Sequence, residues 1–230
     1  MKNRPFRLSI PYVAALAGVA GYFFHSALID GGKVTLLAIY SIFLCLLFAL
    51  AAAALEKQSA FAKVFAASKT EAVFSLAGAA LLGAGCVMGF SGTMFQKILA
   101  LLGLLGAAGW AAAAVIRVRG QKPQPFWMVF AVLFFVAKLF YDFRHWMVDP
   151  AILDYAFSLF ALICFMIASY QAAAFCCDHG SRRQLEFFAL AGILFGATAM
   201  AGMGTAEALI YSGGELWMLG CAVQAGGQKS

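Results

Sequence analysis

A chain of 230 residues in which 64% are hydrophobic and 11% charged is not built to face water, because soluble domains charge roughly a quarter of their residues. The net charge of +6 does not indicate a nucleic-acid partner, since the basic residues sit in short loops between apolar runs. Composition therefore excludes a soluble domain and leaves an all-α fold: a polytopic membrane helix bundle, one integral membrane domain over residues 1–230 embedded in a lipid bilayer.

The chain opens on Lys2, Arg4 and Arg7, followed by an apolar run from about Leu8 to Ile29. The run is longer than a signal-peptide core and has no A-x-A closure, so it reads as an uncleaved first span. Span two covers about Val34–Leu55. The connector Glu56–Lys69 reads as an amphipathic helix on the inner membrane surface, with Phe61, Val64 and Phe65 on one face and Lys57 and Lys63 around it. Ser68-Lys-Thr-Glu71 has the pattern of a capping box opening span three, about Glu71–Phe90. Span four covers about Ile98–Ile116 and span five about Phe126–Met147, where Trp127 and Trp146 fit an interfacial belt. Spans six to eight cover about Ala151–Phe175, Leu185–Met203 and Thr205–Val223. The Gly202–Thr205 turn is tight enough that seven spans is the competing count.

Twelve of the sixteen Lys and Arg fall on one side of these spans, at Lys2, Arg4, Arg7, Lys57, Lys63, Lys69, Arg117, Arg119, Lys122, Arg182, Arg183 and Lys229. Positive loops stay inside, which places both termini in the cytoplasm and makes the span number even, eight. The expected location is the cell membrane, of bacterial inner-membrane or plasma-membrane type. A second capping pattern, Ser181-Arg-Arg-Gln184, and the pair Phe74-Ser-Leu-Ala-Gly78 and Phe188-Ala-Leu-Ala-Gly192 suggest a four-plus-four parallel repeat, with halves of about 1–117 and 118–230.

The polar residues inside the spans carry the functional signal. On span five, Lys138, Tyr141, Asp142, His145 and Asp149 recur at helical spacing, and on span eight so do Glu207, Tyr211 and Glu215. Counted from the outer helix ends, Lys138 and Glu215 lie at similar depth, about 15 Å in at the helical rise. Each is costly alone in hydrocarbon, so spans five and eight are expected to face each other with Lys138 near Glu215 and Asp142 sharing the lysine. His25 at the end of span one and Asp154 at the start of span six would complete an outward-opening polar cavity. That cavity suits a small zwitterionic or anionic solute, or a proton. A small-solute transporter or solute-binding membrane component is the reading. An accessory membrane subunit or sensor, docked on a partner membrane subunit without transport, is the alternative, and in that case the ion pair is a structural clamp.

An intramembrane metal enzyme ranks lower. His25 and His145 could meet, but no HExxH or comparable spacing supports a metal site. No serine-hydrolase, nucleotide or dinucleotide fingerprint occurs, so no catalytic residues and no cofactor are assigned. The six cysteines show no CxxC spacing and read as small apolar residues or a membrane-proximal turn, Cys176-Cys177-Asp178-His179.

Overall fold

Long apolar runs become helices because a backbone in an apolar medium must satisfy its own hydrogen bonds. The computed structural model describes residues 4–29, 34–65, 68–146 and 155–227. Among them are nine α-helices and no strand: α1 Arg4–Ile29, α2 Val34–Ala53, α3 Phe61–Val64, α4 Lys69–Met88, α5 Met94–Val118, α6 Phe126–Trp146, α7 Ala156–Phe175, α8 Arg182–Ala199 and α9 Thr205–Gly227. Six of these, α1, α2, α4, α5, α6 and α7, are long and apolar enough to cross a membrane. α8 and α9 do not reach that apolarity, because Arg182, Arg183 and Glu186 dilute the one and Glu207 and Glu215 the other.

Helices α4 to α9 pack in a closed circuit, each against the next and α9 back against α4. Trp110, Phe134, Phe135, Phe165 and Trp217 fill its interior. α1 lies outside this circuit against α8 and α9, and α2 lies against α8 and the flank of α1. α2 leaves Leu36, Ile39, Ile42, Phe43, Leu46 and Leu50 exposed, the surface of a helix solvated by lipid.

The tightest seam joins α4 to α9, and it depends on glycine. A Cβ on Gly78 would sit 2.6 Å from the Gly213 carbonyl oxygen, and one on Gly213 would sit 2.6 Å from the Leu82 nitrogen. Only glycine allows such backbone contact between α4 and α9.

The connector before α4 departs from its sequence reading. It forms one helical turn, α3, and Phe61, Val64 and Phe65 are buried in the protein instead of lying on a membrane surface. Phe65 meets Phe175 and the Arg117 guanidinium, and the Asp178 carboxylate accepts the Phe61 amide at 2.7 Å. Protein contacts thus absorb the apolar face that the pattern had assigned to lipid.

Ser68 accepts the Glu71 amide at 3.5 Å, but the Glu71 side chain turns away, so only half of that capping box forms. Ser181 makes no side-chain cap, and Gln184 pairs with Gln171 instead. A complete capping box does form between Thr93 and Gln96, opening α5.

Candidate functional site

Lys138 lies one turn below Asp142 on α6, and its Nζ is 2.8 Å from Asp142 Oδ2. The same Nζ is 3.5 Å from Glu207 Oε1, which reaches in from the first turn of α9. Lys138 and Asp142 are 4% and 5% exposed, whereas the Glu207 side chain is 51% exposed. A buried ammonium therefore joins a buried carboxylate to one at the surface. Such a lysine costs at least about 2.5 kcal/mol on an isolated membrane helix, which explains why two acids converge on it. Two carboxylates against one ammonium leave the cluster one negative charge in excess. Asp142 Oδ2 thus holds the lysine ammonium inside the bundle, one helical turn along α6. Beneath Glu207, the buried Tyr211 hydroxyl donates to the Ser158 carbonyl at 3.4 Å, and its ring meets Phe165 edge-on.

The other expected residues divide. Tyr141 stacks on Phe95 at 5.2 Å, and the exposed His145 ring lies over Tyr141 with Nδ1 donating to the Tyr141 carbonyl. Both sit at the rim, on the same helix as the lysine. His25 is buried elsewhere: its Nδ1 donates to the Thr198 carbonyl at 2.8 Å and its ring lies against Phe157, tying the end of α1 to the end of α8. Asp154 lies outside the described residues, as do Asp30 and Asp149.

The expected Lys138–Glu215 pair is not present. Lys138 pairs across the circuit with Glu207, and Glu215 faces α1 and α8, in a cavity with Tyr22, Ala197 and Met200. Two physical facts account for the difference. Eight residues of helix advance about 80° beyond two full turns, so Glu207 and Glu215 do not share a face. A lysine also extends its ammonium well beyond its own backbone level, which lets it reach an acid nearer the surface. α6 and α9 thus meet through this ion pair across the circuit, while their backbone neighbours are other helices.

A second buried ionic group went unread in the sequence. At the opposite end of the circuit, Arg117 Nη2 of α5 is 2.7 Å from Glu71 Oε1 of α4, and Ser75 donates to the same oxygen at 2.6 Å. Nearby, Arg182 donates to the Ala225 carbonyl, fastening α8 to α9. Between the two ionic levels lies a stack of Trp110 and Trp217, 4.5 Å apart and 5° from parallel. The sequence pattern marks Glu71 as a helix cap and Arg117 as a loop charge. The signal that would have paired them is depth, since each stands at the same end of a neighbouring helix.

The exposed Asp178 lies in the turn after α7, at that same end. It accepts from Lys122 and from the Phe61 amide, and these two hydrogen bonds hold its carboxyl below the usual aspartate range.

Among the described residues no three His, Cys, Asp or Glu side chains converge as a metal site. What the arrangement can do is bind charge: an ammonium and two carboxylates are presented at one end of an aromatic-filled bundle.

The fold and these ionic levels define an all-helical protein of the membrane class, with six helices long and apolar enough to span a bilayer. Comparison with protein-family models, curated proteins and solved structures finds no match to this chain.

Proposed function

We propose that the chain crosses the cell membrane eight times with both termini in the cytoplasm, and that the Lys138–Asp142–Glu207 cluster binds a small zwitterionic solute as part of its transport. α8 and α9 run within the same circuit as four of the six apolar helices, α4 to α7. At 18 and 23 residues they are about 27 and 35 Å long, enough to span the hydrocarbon core. Their lower apolarity follows from position, because flanking helices cover faces that would otherwise meet lipid. The positive-inside rule then sets the end bearing Arg117, Lys122 and Arg182 in the cytoplasm and the Lys138 cluster toward the outside.

The observation that carries the functional reading is that Lys138 is shared between a sealed carboxylate and an exposed one. Glu207 can leave at little cost, exposing a cation and an anion to an incoming solute. A solute carboxylate would take the place of Glu207 on Lys138, and its ammonium would pair with Glu207. The cluster's excess negative charge disfavours a simple anion, whereas a zwitterion conserves charge. A proton on Glu207 is the smallest ligand the same exchange admits.

Thermal unfolding of the purified protein across a panel of the common amino acids and betaines tests this. One or more should stabilise the wild type, and none should stabilise Lys138→Met or Glu207→Gln. If no zwitterion raises the unfolding temperature of the wild type, or if both variants respond as it does, the cluster is a helix clamp and the accessory-subunit reading takes precedence.

A further inference from the structure

The Lys138 cluster does not involve Glu215. Glu215, in the middle of α9, opens into a cavity of about 240 Å³ between α1, α8 and α9. Its walls are Ala15, Val19 and Phe23 of α1, Ile193 and Ala197 of α8, and Leu219 of α9, with Tyr22 the other titratable group in the lining. Its Oε1 is sealed from solvent and has no hydrogen-bond partner. Among the described residues no lysine or arginine lines the cavity. Room for the carboxylate is made by Gly196, where a Cβ would come within 2.7 Å of Oε1. The rim is formed by the exposed α1 side chains Val19, Tyr22 and Phe23, so the cavity opens sideways from the bundle, away from the Lys138 cluster.

We propose that this cavity is a second binding site, for a lipophilic primary or secondary ammonium that enters from the bilayer. The inference does not rest on the zwitterion reading. A half-buried carboxylate with one sealed, unpartnered oxygen is expensive in an apolar lining, and a cation brought in from outside relieves it. A carboxylate accepts N–H donors, so the matching cation is one that carries N–H bonds; a quaternary ammonium matches less well. The remaining lining is apolar and accepts a hydrocarbon or aryl body. Tyr22 at the rim adds a ring face within reach of a cation in the cavity mouth. The volume, a little below the usual range of ligand cavities, suits a molecule of roughly ten to fifteen non-hydrogen atoms.

The test is equilibrium binding of radiolabelled phenethylammonium to the purified full-length protein in nanodiscs, with thermal unfolding run beside it. The wild type should bind one equivalent saturably, and Glu215→Gln should weaken binding at least tenfold without lowering the unfolding temperature, because glutamine removes the charge and keeps the shape. Val19→Trp, which narrows the mouth at a lipid-facing position, should weaken binding with the carboxyl intact. Phenyltrimethylammonium should bind more weakly than phenethylammonium. Glu207→Gln should bind phenethylammonium as the wild type does. No saturable binding, or equal binding by wild type, Glu215→Gln and Val19→Trp, overturns the proposal. Loss of binding in Glu207→Gln with retention in Glu215→Gln also overturns it, and assigns the amine to the Lys138 cluster.

Discussion

Lys138 is held by two acids of unequal burial, and the two should respond differently to mutation. Removing the ammonium in Lys138→Met strands the Asp142 carboxylate in the interior, which should cost about 3–5 kcal/mol of stability. Glu207→Gln touches a half-exposed partner and should cost less than about 1 kcal/mol. Adding Asp142→Asn to Lys138→Met should recover most of the loss, as the double variant leaves no buried charge unpaired at this level. Thermal unfolding of the four proteins in one detergent checks the order; equal losses for Lys138→Met and Glu207→Gln would show that the pairing is not as described. Lys138, Asp142 and Glu207 were all legible in the sequence as charged residues in apolar runs. The pairing was not, because depth counted along a helix ignores both the rotation between Glu207 and Glu215 and the length of a lysine side chain.

Two elements carry most of the architecture, the α4–α9 seam and the short connector before α4. At the seam, Gly213 faces the backbone of α4 at Leu82 and Gly78. Gly213→Val forces the helices apart and should destabilise the protein by at least about 1–3 kcal/mol, whereas Gly83→Ala, with 3.8 Å to its nearest neighbour, should be close to neutral; a neutral Gly213→Val would contradict the seam. In the connector, Asp178 fastens Phe61 and Lys122 with its carboxyl held below the usual range. A lowered carboxyl contributes fully above its unfolded value, about 3.9, and its contribution fades as pH falls through the lower folded value. Hydrogen exchange at the Phe61 amide should therefore stay slow, relative to the intrinsic rate, from neutral pH down to about 4 and rise below it. Asp178→Asn should raise it at neutral pH and remove most of its dependence on acidification. The helices themselves were plain in the sequence, because apolar runs and caps are local. The fate of the Phe61–Phe65 face was not, since an apolar stripe looks the same whether lipid or Phe175 covers it.

At the scale of the whole molecule, a circuit of six helices encloses aromatic side chains between two ionic levels, with α1 and α2 packed outside it. Composition made the membrane class legible from the first residues, and the distribution of Lys and Arg suggested the orientation. Order around the circuit was not legible, because α4 meets α9 through contacts between residues far apart in the chain that no local pattern encodes. Orientation makes its own prediction: in intact cells, a membrane-impermeant maleimide should label a cysteine placed at Lys97 and spare one placed at Lys122, in a background without native cysteines. The reverse pattern would invert the account, and equal labelling would break the even span count. The central claim is that the Lys138 cluster binds and passes a zwitterion, and its most direct measurement is counterflow in proteoliposomes. Vesicles loaded with the amino acid or betaine that most stabilises the wild type should take up the radiolabelled form against its gradient, and vesicles bearing Glu207→Gln or Lys138→Met should not. Uptake equal in wild-type and variant vesicles, or no uptake above protein-free vesicles, would contradict it.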